Sequence, residues 1–211
     1  MADHPIFTES IRRIRALLGE TGLDPLQQQV LERLVHSSGD PGLQQLLRFS
    51  EGACEQGLAA LQAGAAILTD TAMAAAAVTP MAARTLGTSV RCLLDWAPEV
   101  SPQDSTRSAV AMLRAWPELT QVASAKGQPM PVLLVGSAPS ALEQLLDQLD
   151  AGAPAPSLVI GMPVGFVGVP ESKRHLAATA LAQIRLEGTR GGAGLVAAAA
   201  NALLRAAQAA S

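Results

Sequence analysis

Apolar residues near the start of the chain return at helical spacing. Ile6, Ile11, Ile14, Leu17 and Leu18 mark one face and arginines fill the other, which predicts an amphipathic helix. Residues 19–25, opening on Gly19 and closing on Pro25, interrupt it. Residues 26–35 predict a second helix with Val30, Leu31 and Leu34 on its apolar side, ending in the small polar run His36-Ser37-Ser38-Gly39-Asp40-Pro41. His36 therefore falls at a helix C-terminus, where backbone carbonyls favour a protonated imidazole by up to about 2 kcal/mol.

Beyond this point the pattern alternates. Short apolar runs at 65–69, 89–94, 131–135, 158–160 and 184–186 are separated by helical stretches at 51–63, 106–116, 139–149, 171–182 and 194–210. Buried strands interleaved with helices predict an α/β fold with a mainly parallel sheet flanked by helices. In such sheets a ligand sits beyond the C-terminal ends of the strands. Asp70, Gly136-Ser137-Ala138-Pro139, residues 161–168 and residues 188–194 all fall there. Residues 97–104 and 126–131 are expected to be exposed loops. With no repeat and no long linker, a single α/β domain over residues 1–211 is expected.

Composition narrows the function. The chain is 49% hydrophobic and 16% charged over 211 residues, enough to bury a core without disulfides. A net charge of -3 argues against a nucleic-acid or anionic-membrane partner. Aromatics at 2% cannot build stacking platforms for single strands. Cys54 and Cys92 lie far apart outside any CxxC pattern, so they read as small hydrophobes and no metal site is expected. No apolar run reaches the roughly 18 residues of a membrane helix. The polar start, with Glu9, Arg12, Arg13 and Arg15 close behind, does not read as a secretory signal. A soluble, cytoplasmic protein is expected.

The loops offer several chemistries. Gly165-x-x-Gly168 follows a strand, and Glu187 lies about twenty residues on, as in a dinucleotide fingerprint. Pro163, however, stands where the first glycine is needed and has no N–H for a phosphate. Gly188-Thr189-Arg190-Gly191-Gly192 before the last helix suits an anion, or is a helix cap alone. Among the histidines, His36 is the best acid–base candidate. His4 sits where the terminus is expected to fray, and His175 in a surface helix beside Lys173 and Arg174. Asp70 and Asp95, at strand ends, face a ligand or cap a turn. Thr106-Arg107-Ser108 opens a helix, where Thr106 is a cap and Arg107 solvated, or both meet a ligand.

Taken together these loops resemble the precorrin-8X methylmutases of corrin biosynthesis. The resemblance runs from about His4 to Leu203. It rests on Arg33-Leu-Val-His36, Ile67-Leu-Thr-Asp70 with Met73, Thr106-Arg107-Ser108, Gly136-Ser-Ala-Pro139-Ser-Ala-Leu142, Gly161-Met-Pro-Val-Gly-Phe-Val-Gly168 with Glu171-Ser172-Lys173, and Arg190-Gly191-Gly192 with Asn201-Ala-Leu203.

The resemblance implies an isomerase that moves a methyl group from C11 to C12 of precorrin-8X or cobalt-precorrin-8. No methyl donor, redox cofactor or metal of the protein's own is needed. His36 matches the family's catalytic histidine, whose proposed role is to protonate a ring nitrogen next to the migrating centre. Arg107 and Ser10 match substrate-contacting residues, with Thr106, Arg33 and Arg190 as further candidates for the pigment's carboxylates. The resemblance also implies a homodimer whose N-terminal helices close over the pigment. Phe7 in place of tyrosine, Ser137 in place of asparagine, Ala77 in place of glycine and Pro80 in place of a basic residue depart from the family pattern. The rival readings are a corrinoid carrier without turnover and a nicotinamide-dependent oxidoreductase.

Overall fold

The computed structural model describes residues 4–209. The chain runs α1 (Pro5–Leu18), α2 (Pro25–Ser38), β1 (Leu47–Phe49), α3 (Ala53–Gln62), β2 (Ile67–Thr69), α4 (Ala72–Arg84), β3 (Val90–Cys92), α5 (Arg107–Ala125), β4 (Val132–Val135), α6 (Pro139–Asp150), β5 (Leu158–Gly161), α7 (Val169–Ala177), β6 (Gln183–Leu186) and α8 (Ala193–Ala209). The strands form one six-stranded sheet in the order β1-β6-β5-β4-β2-β3. Every neighbouring pair is parallel except β1 with β6, where Leu47 faces Leu186. The expected α/β class and mainly parallel sheet are therefore what the chain forms.

Alternate strand residues serve the two faces. Ile67, Val132, Leu134, Leu158, Ile160 and Ile184 point into a core shared with α1, α2, α3, α4 and α8. Leu68, Leu133, Val135 and Val159 point into a second core under α5, α6 and α7, where Trp116 is fully buried. Burying each such side chain stabilises by about 1.5–3 kcal/mol. In α8, Val196 to Ala200 are all buried, so small side chains let this helix lie close between its neighbours and the sheet.

Several elements depart from the sequence expectation. β1 is too short to display a period of two and exists by pairing with the edge of β6. α4 has buried Ala74, Val78, Met81 and Ala82 at helical spacing, but surrounding alanines dilute the signal. α5 continues past Pro117 to Ala125 rather than stopping at Trp116. The proline removes one backbone donor to Leu113, on an exposed face where water can replace it. α7 ends at Ala177, short of 182, because the Thr179 hydroxyl and Gln183 Nε2 donate to the Leu176 carbonyl at 2.8 and 2.7 Å. Ile6 and Leu17, expected on the apolar face of α1, are exposed, leaving Ile11, Ile14 and Leu18 as its anchors. Residue 210 of the expected last helix lies outside the described residues. Among the described residues no helix is long and apolar enough to cross a membrane.

Candidate active site

The start of β1 opposite the end of β6 brings the close of α2 to the carboxyl edge of the sheet. Gly39 ends α2 in the left-handed conformation (φ 68°), and its N–H donates to Val35 O at 2.8 Å. His36 is thereby held on the last turn with its ring toward α1. Ser10 Oγ lies 2.8 Å from His36 Nδ1. Phe7, one turn before Ser10, meets the imidazole edge-on, with centroids 5.2 Å apart and an interplanar angle of 77°. The Arg33 guanidinium lies 4.9 Å from the Phe7 centroid and that of Arg205, from α8, 5.2 Å.

The electrostatics reverse one expectation. Burial, and then the nearby Arg33 charge, lower the His36 pKa from its ordinary value. The shift runs opposite to the one expected from the end of α2, and the protonated ring gives up its proton more readily than an ordinary imidazolium.

The rim beside this histidine is built by buried polar groups. Asp70, at the end of β2, accepts N–H groups from Gly136, Ser137 and Ala138 on one carboxylate oxygen at 2.9, 2.6 and 2.9 Å. It thus anchors the start of α6, the capping alternative of the two weighed from sequence. Burial raises its pKa, against the pull of those N–H groups. A Cβ on Gly191 would fall onto the Met162 carbonyl, so only glycine lets residues 188–192 lie against the loop after β5. Lys173, buried in α7, donates from Nζ to Gly188 O and Arg190 O at 2.9 and 2.6 Å. Burial pulls its pKa down to about 8. Arg190 Nη1 then reaches Asp40 at 2.5 Å, tying the rim to the turn just after His36.

Other sequence candidates lie elsewhere. Thr106 caps α5, accepting from Ala109 N at 3.1 Å, and its hydroxyl meets Ser140 at 2.6 Å. It lines a depression of about 660 Å³ with Ser137 and Val167. Arg107 is exposed, and its Nε donates to Pro98 O at 2.8 Å. Because α2 and α5 pack on opposite faces of the sheet, His36 and Arg107 rise on opposite sides of the rim. Glu187, the acidic residue of the dinucleotide reading, pairs with Arg48 at 2.9 Å and Arg185 at 3.3 Å. Asp95 lies 3.6 Å from Arg91. His175 Nδ1 meets Glu143 at 2.6 Å, and that hydrogen bond raises its pKa. His4 Nδ1 accepts from Ile6 N at 3.2 Å and caps α1.

Sequence reasoning missed Arg205 and gave Lys173 no role. Lys173 sits in a segment that reads as a surface helix. Only its burial against the rim carbonyls reveals what it does.

A histidine poised by a serine, beside an arginine-lined wall at the carboxyl edge of a parallel sheet, can exchange a proton with an anionic organic molecule. The fold and site thus define an α/β protein suited to acid–base chemistry. The chain belongs to the precorrin-8X methylmutase family, whose signature matches residues 5–206. It is 41% identical over 207 residues to the precorrin-8X methylmutase of Pseudomonas aeruginosa, covering 94% of this chain and 93% of that one. It is 31% identical to the cobalt-precorrin-8 methylmutase of Synechocystis, covering 96% of this chain and 95% of the relative. The structure superposes on the precorrin-8X methylmutase of Thermus thermophilus with a TM-score of 0.82 at 39% identity, covering 97% and 96% of the two chains.

Proposed function

We propose that this chain isomerises precorrin-8X or its cobalt complex in cobalamin biosynthesis, with His36 as the general acid. The observation that carries the acid role is the 2.8 Å contact between Ser10 Oγ and His36 Nδ1. It occupies one ring nitrogen and leaves Nε2 to give the proton. Protonating a ring nitrogen beside the migrating centre withdraws electrons from the conjugated system. The C11–methyl bond then breaks as the C12–methyl bond forms, and the proton returns to His36. A positioned general acid contributes on the order of 10²–10⁴-fold. Holding the macrocycle in a reactive conformation supplies the rest.

Arg33, on the His36 side, and Arg107 with Thr106, across the rim, take carboxylates at different edges of the pigment. Arg190 acts beside His36 through its bridge to Asp40. The chain works as one α/β unit in the cytoplasm and as a homodimer. Support for the dimer comes from Phe166 and Val167, which are 85% and 90% exposed on the loop after β5.

The test follows visible absorption of precorrin-8X and of its cobalt form mixed with wild type and with His36→Ala. Histidine-dependent conversion is expected. Pigment that binds without converting, although an authentic enzyme converts it, would establish the carrier reading instead. Sedimentation of wild type and Phe166→Asp checks the dimer, which the substitution should dissociate.

A further inference from the structure

The turn that follows His36 and the rim loop are joined by an ion pair. Arg190 Nη1 donates to Asp40 Oδ2 at 2.5 Å. Both ends of that pair are fixed from behind. Asp40 Oδ1 accepts the Gly42 N–H at 2.9 Å, and the Asp40 N–H donates to Ser38 Oγ at 3.1 Å. The Ser38 hydroxyl donates in turn to the Leu34 carbonyl, inside α2, at 2.8 Å. On the rim, Lys173 Nζ holds the Arg190 carbonyl at 2.6 Å, and the Gly192 N–H donates to the Met162 carbonyl at 2.8 Å. Gly42 leaves room for the junction, because a Cβ there would lie 3.0 Å from Asp40 Oδ1 and 3.3 Å from Arg190 Nη1.

The pair stays open to solvent, with the Arg190 side chain 54% and the Asp40 side chain 36% exposed. An ion pair this exposed adds little stability. What it fixes is direction. Arg12 and Arg15 each give Nε and Nη2, the two-donor edge, to a glutamate, Glu9 and Glu32 respectively. Arg190 gives Asp40 only Nη1, and among the described residues its Nε and Nη2 donate to nothing. A planar guanidinium held by one corner presents that edge to an incoming carboxylate for a bidentate bond. Its torsions are already ordered, so less freedom is lost when the bond forms.

We propose that Asp40 is a positioning residue for the pigment: it holds Nη1 so that the Nε–Nη2 edge of Arg190 takes one of the pigment's carboxylates beside the His36 turn. The inference rests on the methylmutase reading above and adds to it a residue that does not itself touch the substrate. The sign of the effect separates this role from its opposite. Asp40 is an anion, so if it only repelled the pigment's carboxylate or competed for Arg190, removing it would tighten binding. If it aims Arg190, removing it weakens binding although a like charge has gone.

The experiment titrates the full-length protein with the methyl-migrated corrinoid acid and with the same macrocycle carrying amides in place of its carboxyls. Wild type, Asp40→Ala, Arg190→Gln and the double variant form a cycle. Asp40→Asn, which keeps an acceptor and the shape of the turn, is measured beside them. Asp40→Ala should weaken binding of the acid about tenfold, the cost of ordering one or two side-chain torsions anew. Asp40→Asn should lose less, and both should affect the amide far less than the acid. Once Arg190 is replaced by glutamine, Asp40→Ala should cost nothing further. In turnover, Asp40→Ala should raise KM and leave kcat within about twofold. Unchanged or tighter binding of the acid overturns the proposal, as do equal losses with and without Arg190. So does a fall in kcat without a rise in KM, which would report a displaced His36 turn. Failure of the methylmutase reading would look different: wild type itself would not convert the substrate, whatever coupling the binding cycle showed between Asp40 and Arg190.

Discussion

Ser10 and His36 stand twenty-six residues apart on different helices, and their side chains meet at 2.8 Å. The contact fixes the ring's rotation and decides which nitrogen faces the rim. Loss of the Ser10 hydroxyl frees the ring to turn without removing it. Ser10→Ala should therefore lower kcat about tenfold and change KM little, whereas His36→Ala should reduce turnover to background. Steady-state kinetics with precorrin-8X separates the two. A Ser10→Ala enzyme with wild-type kcat would show that the hydrogen bond is incidental.

Burial, and after it the Arg33 charge, weakens that histidine's hold on its proton. Burial and the Arg33 charge both lower the His36 pKa, so the acid form declines as pH rises through a value lower than that of an ordinary imidazole. The kcat/KM of wild type should fall on the alkaline side of that value. Replacing Arg33 with Met removes the like charge and should move the falling limb to higher pH. A pH–rate profile of both proteins is the check, and a shift in the opposite direction contradicts the assignment.

Lys173 props the rim from beneath. Lys173→Met takes away both hydrogen bonds to the Gly188 and Arg190 carbonyls and should make the 188–190 segment easier to cleave by protease. The pH dependence has a definite sign. The folded pKa is lowered to about 8 from 10.5, so between those values the unfolded chain binds more protons. Wild type should gain stability relative to Lys173→Met as pH rises from 8 to 10, in thermal melts at matched ionic strength.

Asp70 satisfies three consecutive N–H groups with one oxygen. Asp70→Ala leaves them buried or partly buried without a partner, at a cost of about 1–3 kcal/mol for each group that water cannot reach. We expect a loss of several degrees in Tm, with a smaller loss for Asp70→Asn, which keeps an acceptor. Equal melting of wild type and Asp70→Ala would show that the loop holds without it.

How much was legible beforehand differs by element. The β4 and β5 segments declared themselves as unbroken apolar runs, because a strand covered on both faces must be hydrophobic along its whole length. α4 did not, since alanine is neutral in any periodicity. The turn after His36 could be read from its glycine and proline, which are local signals. The raised or lowered proton affinity of the ring could not, because it depends on Arg33 and on burial rather than on helix position alone.

The sequence by itself determined the α/β class, the family, and the histidine that stands at the end of a helix. These follow from local patterning and from motif order along the chain. Only the tertiary structure decided which groups surround that histidine. Ser10 and Phe7 arrive from α1, Arg205 of α8 stacks on that Phe7 ring, and Arg190 ties the rim to the turn after His36 through Asp40. Lys173 acts from beneath a loop fifteen residues further on. Each of these contacts joins segments distant in sequence. Their geometry is set by how the helices pack on the sheet, which no local pattern encodes.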